Sequence, residues 1–492
     1  MKIIVRIIAL VLAFVMLSSN LVACGADAPK DVIEGGSGDT VATTEAAVKV
    51  KSLSDVFWDG EQYRILAHKD DNKGFNDFEI DYEEMPEDVV GLAVWNRNYA
   101  VEQKYGLEVS GTLTSSNVHT EAEVFLASGD DQYDLIICMN SSLLALAMEG
   151  YLVNINELDY VDFEKDCWNS YANEQFSYGN KLYYTSNKFL LQEKHRTWMV
   201  WYNRTLAREL NVGYLEDEVF AGSWTLDRLV EIAKSCSANV DGVEGMTSSD
   251  RWGFTAADPY TFGVLAYGGG FRISDRGQDG YPKMVGATEH VISVLDKVFE
   301  LAGDKNTSFF TGCRPTADEN AAGKGEQIFK EGRAVVMGNC LSFLDYLSNL
   351  EFEYGVLPNP KYNEAQENYY SVPNIKNGHL FAVPTTVNDI EKAGFGLEAI
   401  SEEAVGTSYK EYIETRCKLQ DAYDEDMAKC LTIIFDTIVY DIALLDDIGT
   451  FGTIMTSQLV KSGTNTYARL YDKNAKRANT QLDSIREKFS AH

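Results

Sequence analysis

Basic residues are scarce in this 492-residue chain, where 43 Lys and Arg stand against 75 Asp and Glu for a formal net charge of −32. No long basic stretch interrupts that balance, so nucleic acid and anionic lipid headgroups are poor partners on electrostatic grounds. The acidity itself reads as a solvated surface and assigns neither a cation nor an acidic ligand. Histidine is also rare, with six in the chain, and no C-x-x-C pair occurs, which argues against structural zinc. Setting Cys24 aside leaves Cys138, Cys167, Cys236, Cys313, Cys340, Cys417 and Cys430. An odd, scattered set is not a disulfide framework, and several of these thiols suit small buried hydrophobes. Catalytic signatures are missing too: there is no G-x-S-x-G elbow, no H-E-x-x-H helix and no G-x-x-x-x-G-K-[ST] phosphate loop. Acidic and amide residues alternate from Asp70 to Asp81, but Phe75 stands where a calcium loop needs glycine. With 75 acidic residues some two carboxylates will lie at glycosidase separation in any fold, so composition does not support hydrolysis. No metal or cofactor is expected, and no repeat of fixed period is visible.

What the chain does carry begins at its start. Lys2 and Arg6 precede an apolar run from Ile7 to Leu17, and Leu21-Val22-Ala23-Cys24-Gly25 follows. The run is too short to remain as a spanning helix. The pattern resembles the lipobox of bacterial lipoproteins, which implies cleavage after Ala23 and diacylglycerol on Cys24. Two acyl chains suffice for stable anchoring where one is marginal. Residues 1–23 are thus expected to be a signal peptide, and 24–52 the lipidated cysteine and a flexible tether. Gly35-Gly36-Ser37-Gly38 lies in a stretch without aromatics that has too little apolar surface to offset chain entropy.

About 440 residues remain, too many for a single core and suited to two lobes. A strand at Tyr63–Ala67, a helix from Val89 to Tyr105 stopping at Gly106, a strand from Leu107, a helix from Glu121 to Ser128 and an apolar run Tyr133–Cys138 give β-α-β-α-β order. That order predicts a parallel sheet covered on both faces. A β-rich run leads to Thr197–Asn203, a helix follows at Arg204–Leu210, and Thr225 caps a helical stripe of Leu226, Leu229, Val230 and Ala233. Gly268-Gly269-Gly270 reads as a loop. Ile328–Arg333 reads as a helix end before a strand Ala334–Gly338, and Glu402–Leu445 and Gln458 onward read as helices. Ligands of open α/β sheets sit beyond the carboxyl ends of the strands, which singles out His68-Lys69 and Met139-Asn140-Ser141.

Several segments carry a resemblance: Asp134-Leu135-Ile136-Ile137, Gly179-Asn180-Lys181-Leu182-Tyr183, Val200–Leu206, Ser223–Leu229, Phe329–Gly338 and Tyr354–Pro358. In this order, behind a lipobox, they resemble the family-1 extracellular solute-binding proteins of ABC importers, the maltose-binding-protein type. The resemblance spans most of the mature chain. It implies an α/β, two-lobed periplasmic-binding-protein-like fold (type II), its lobes interleaved in sequence and closing around ligand by a hinge. Aligned motifs put crossovers near Leu190–Arg196, Met337–Cys340 and Val383–Asn388. Lobe I is then expected from 53–192 plus 339–386, and lobe II from 193–338 plus 387–492.

The resemblance also implies a ligand set. His68, Lys69, Asn140 and Ser141 follow strands of the first lobe, and Glu193 and Arg196 lie at the first crossover. In the second lobe Asp258-Pro259-Tyr260 is similar to an acidic-Pro-Tyr segment whose tyrosine packs against sugar. Asn140 and Arg196 suit paired hydroxyls, while Tyr260 and Trp198 suit ring faces. Trp198 and Trp201 fit a core strand equally well, and Arg196 an ion pair. After Met-x-Gly, where the family often places an aromatic, this chain has Asn339-Cys340-Leu341. The expectation is a non-enzymatic, monomeric lipoprotein on the extracytoplasmic face of the cell membrane, which captures a small solute such as an oligosaccharide for ABC permease subunits. A secreted carbohydrate-active enzyme and a ligand-presenting receptor for a sensor are the alternatives.

Overall fold

Alternation of apolar and turn-forming segments organises two sheets. The computed structural model describes residues 50–68, 80–82, 84–114, 118–314, 316–347, 350–374, 379–416, 418–419 and 422–491. The expected signal peptide 1–23, the expected tether 24–52 except for residues 50–52, Lys69, nearly all of the Asp70–Asp81 stretch and Cys417 lie outside them. The strands are β1 (Glu61–His68), β2 (Leu107–Thr114), β3 (Leu135–Met139), β4 (Thr197–Asn203), β5 (Trp252–Ala256), β6 (Ser274–Arg276), β7 (Pro282–Met284), β8 (Ser308–Phe310), β9 (Ala334–Cys340), β10 (Tyr354–Leu357), β11 (Val372–Pro373) and β12 (His379–Ala382).

The first sheet runs β12-β3-β1-β2, with β1, β2 and β3 parallel and β12 antiparallel to β3. Local chemistry sets its elements. Asp88 caps helix Val89–Tyr105 by accepting from the Gly91 amide at 2.7 Å, and Gly106 ends it at φ 66°. A side chain at Gly106 would meet the Phe57 ring at 2.7 Å, so both backbone angle and space demand glycine. Buried Asp134 receives Arg64 Nε at 2.9 Å and the Arg64 amide at 2.8 Å, which pins the start of β3 to β1.

The second sheet runs β10-β4-β9-β5-β8, with β11 also paired to β4. Strands β5, β8 and β9 are parallel, while β4 is antiparallel to β9 and β10. Trp201, Trp224 and Trp252 are fully buried around it, and Trp224 Nε1 donates to the Pro358 carbonyl at 2.8 Å. Thr225 caps helix Leu226–Cys236 as its sequence suggests.

Strand pairing divides the chain differently from the expected lobe boundaries. Residues 339–386 were expected in lobe I, yet β10 and β11 pair with β4, so the chain returns to the first sheet only at β12, after Pro373. Helix Ile390–Ala404, expected in lobe II, packs instead on helix Val89–Tyr105 and β1 of the first lobe. Gly396 makes that contact possible, since a Cβ there would stand 2.2 Å from the Tyr63 ring. The helical region expected at Glu402–Leu445 comprises the end of helix Ile390–Ala404, a π-helical segment Val405–Tyr409 and helices Lys410–Arg416, Glu425–Asp436 and Ile442–Leu445, the last two capped by Asp424 and Asp441.

The C-terminal helix Tyr467–Ala491 reaches both lobes. Phe489 stacks on Tyr178 and Tyr183 of the first, and Arg486 pairs with Asp279 of the β6–β7 hairpin at 2.6 Å. That hairpin also meets the first lobe directly: the Gly179 amide donates to the Gly280 carbonyl at 3.0 Å, and Arg276 Nη2 donates to the Gly179 carbonyl at 2.7 Å. Among the described residues no helix is long and apolar enough to cross a membrane.

Candidate functional site

The carboxyl ends of β1 and β3, the start of β12 and the crossover into β4 converge. His68 ends β1 with its ring edge-on to His379 at 5.8 Å, and Asn140 follows β3 as the first residue of helix Asn140–Met148. Glu193 lies in the short helix Leu191–His195 that carries the chain into the second sheet. Asn140, Glu193, Asn374, His379 and Tyr440 line a narrow cavity, its walls completed by Phe176, Pro373, Leu380 and Leu445.

Polar groups around this cavity are buried and incompletely partnered. Asn140 Nδ2 donates to Asp446 Oδ1 at 2.8 Å, while Asn140 Oδ1 and Asp446 Oδ2 are both buried with no hydrogen-bond partner among the described residues. Burial pushes the Asp446 carboxyl up to about 7, against which the Asn140 hydrogen bond works. Glu193 is almost fully buried and accepts from Tyr440 Oη and Lys194 Nζ. Desolvation raises the Tyr440 hydroxyl well above its ordinary value, with the Glu193 charge adding to the effect.

On the second sheet, Trp198, Ala257, Tyr260 and Val264 form a small apolar cluster separate from the main core, and Cys340 packs beside it. The Trp198 and Tyr260 rings are 5.0 Å apart, and Trp198 Nε1 is buried without a hydrogen-bond partner among the described residues. Helix Tyr260–Gly268 starts just after β5, and Asp258 accepts from the Tyr260 amide at 2.7 Å. Tyr260 Oη donates to the Pro373 carbonyl at 3.1 Å. Since Pro373 also lines the Asn140–Glu193 cavity, the aromatic cluster and the cavity share one wall.

The other expected residues are distributed less simply. Arg196 is 2 % exposed, and its carbonyl accepts from the Asn374 amide at 3.0 Å. Asn339 is buried with Nδ2 on Glu326 Oε1 at 2.8 Å; burial raises the Glu326 carboxyl, and this hydrogen bond opposes the rise. Ser141 is exposed and lines no part of the cavity beside Asn140. Trp201 is core, fully buried against Phe343 and Tyr354. Sequence reading missed Asn374, His379, Tyr440 and Asp446. The Asp441 cap directly after Tyr440 was the one local signal that this segment turns rather than continues a helix. It also missed fully buried His195, whose Nδ1 lies 2.9 Å from Tyr412 Oη and Nε2 2.9 Å from the Asp345 carboxylate.

No family model and no curated protein sequence matches the chain. Solved structures do match. An ABC substrate-binding protein from Listeria monocytogenes in complex with cycloalternan superposes with a TM-score of 0.54 at 15% identity, covering 86% of this chain and 100% of that one. A cyclo/maltodextrin-binding protein complexed with maltotetraose gives 0.55 at 15% identity, over 86% of this chain and 98% of the other. The chain has the two-lobed solute-binding-protein fold. The maltose-binding periplasmic protein MalE of Listeria monocytogenes in complex with maltose gives 0.55 at 13% identity, over 87% and 99%.

Proposed function

We propose that this chain is the solute-binding subunit of an ABC importer and captures an oligosaccharide between its lobes without chemical change. One observation carries the reading: the Trp198–Tyr260 pair stands apart from the core at the strand ends and shares the Pro373 wall with a cavity holding buried, unpartnered acceptors. Aromatic faces cover the apolar faces of sugar rings, and hydroxyls satisfy both orphan acceptors and the orphan Trp198 donor. The sugar-bound state of the structural relatives supports this ligand class. Cys24 would carry the lipid that keeps the protein at the extracytoplasmic face of the membrane, where closed, loaded protein meets the permease subunits. Energy for transport would come from a separate ATPase.

A thermal-shift screen of the mature protein against mono- and oligosaccharides, polyols and short peptides tests this. A ligand at 100 times its Kd adds roughly 2.7 kcal/mol of stability, readily seen as a raised Tm. The reading expects an oligosaccharide class to act, and Tyr260→Ala to remove the shift. A shift from peptides alone would overturn the cargo, and a shift from no solute would overturn the importer reading.

A further inference from the structure

A second, larger groove lies away from the cavity at Asn140 and Glu193 and shares no lining residue with it. It has a volume of about 520 Å³, and its walls include Tyr171, Arg272, Asp275, Tyr362 and Tyr370. Tyr171 comes from helix Ser170–Phe176 of the first lobe; Arg272 follows helix Tyr260–Gly268, and Tyr362 and Tyr370 lie between β10 and β11 of the second. All three tyrosines are half-buried.

The groove is held in shape. Gln366 accepts from the Tyr362 amide at 2.9 Å and donates to the Gly268 carbonyl at 2.8 Å. Lys297 Nζ sits 4.3 Å from the Tyr362 ring centroid and bonds the Tyr362 carbonyl at 3.0 Å. Arg272 Nη1 donates to the Phe271 and Tyr267 carbonyls at 2.6 and 3.2 Å, and its guanidinium also meets the Tyr171 hydroxyl. Its guanidinium lies 4.4 Å from the Tyr370 ring centroid, a stacking contact that uses the face of the guanidinium rather than its N–H edge. Among the described residues no carboxylate pairs with it, although acidic residues outnumber basic ones 75 to 43 in the chain. Arg272 also draws the Tyr171 hydroxyl down against the rise that burial imposes, with Tyr370 and Asp275 close by.

We infer that this tyrosine-lined groove is a second saccharide site, taking an oligosaccharide of two or three rings that bears a carboxylate. A guanidinium fork matches a carboxylate through paired, charge-assisted hydrogen bonds, which a neutral sugar cannot supply. Tyrosine faces take the ring planes, and the volume suits a ligand of this size. Because Tyr171 belongs to one lobe and Arg272 to the other, such a ligand touches both and favours the arrangement in which they meet. The inference does not depend on what the cleft binds.

Calorimetric titration of the mature protein with tri-galacturonate, and with neutral maltotriose as comparison, decides it. Expected is saturable binding of tri-galacturonate that weakens about tenfold or more in Arg272→Gln and in Tyr370→Ala, and that falls as salt rises. Arg272→Lys, which keeps the charge and loses the fork, weakens it as well, and unchanged Tm values certify that the variants fold. Tyr260→Ala, in the cleft, leaves this affinity within about twofold, since distant independent sites act separately. Absence of tri-galacturonate binding, an affinity untouched by Arg272→Gln, loss in Tyr260→Ala, or maltotriose binding that Arg272→Gln weakens equally would each overturn the inference.

Discussion

Asp446 makes the stability of this protein depend on pH in a direction opposite to that of an ordinary ion-paired carboxylate. Its carboxyl is raised from 3.8 to about 7 by burial, a rise that the Asn140 hydrogen bond opposes. Between those values the folded state holds a proton that the unfolded chain has lost. Folding stability contributed at this site is therefore complete below about pH 4, declines as pH rises, and is gone above about pH 7. Raising a carboxyl by this amount costs roughly 4 kcal/mol at full ionisation, and about 2 kcal/mol if solvent reaches the partly exposed residue. Asp446→Asn keeps the shape, still accepts from Asn140 and cannot ionise. Urea unfolding at about pH 4 and pH 8 should show the variant matching wild type at the lower pH and exceeding it by about 2–4 kcal/mol at the higher. Parallel profiles for the two proteins would refute the reasoning, because they would mean that the carboxyl titrates alike in folded and unfolded chains.

Three further outcomes are expected. Phe489→Ala, which empties the stack on Tyr178 and Tyr183, should lower unfolding free energy by about 3–5 kcal/mol in urea titration and enlarge the radius of gyration in solution scattering. Gly396→Ala should destabilise by about 1–3 kcal/mol or more, measured as a lower Tm, because the new methyl would stand 2.2 Å from the Tyr63 ring. Cys24→Ala should move the protein from the membrane fraction to the medium, read by fractionation and immunoblot; retention on the membrane would rule out the lipid anchor.

Elements whose determinants are local were legible in the sequence. Helix Val89–Tyr105 matches its expected bounds because Asp88 starts it and Gly106 stops it within a few residues of chain. Thr225 and the run Thr197–Asn203 behave likewise. The C-terminal third was less legible, because its breaks are set by distant partners. Asp441, which caps helix Ile442–Leu445, is held by the amides of Ile273 and Ser274 and the hydroxyl of Tyr267, contacts more than 160 residues away in sequence. Lobe membership of Tyr354–Leu357 turned on which strand it pairs with, and an apolar run carries no mark of its partner. Among the proposed site residues, Asn140 could be named from its place after a strand and Glu193 from the crossover, whereas Tyr260 was named from the resemblance of Asp258-Pro259-Tyr260. Asn374, His379, Tyr440 and Asp446 reach the same cavity or its edge from the late chain, along a path that strand order alone did not reveal.

The central claim is that an oligosaccharide is held between the Asn140 cavity and the Trp198–Tyr260 pair. Isothermal titration of the mature protein with an oligosaccharide chosen by the thermal-shift screen tests it most directly, using wild type, Trp198→Ala and Asn140→Ala. The account predicts saturable one-to-one binding, weakened about tenfold or more by a change on either lobe. Binding that survives both substitutions unchanged, or no binding of any oligosaccharide, would contradict it.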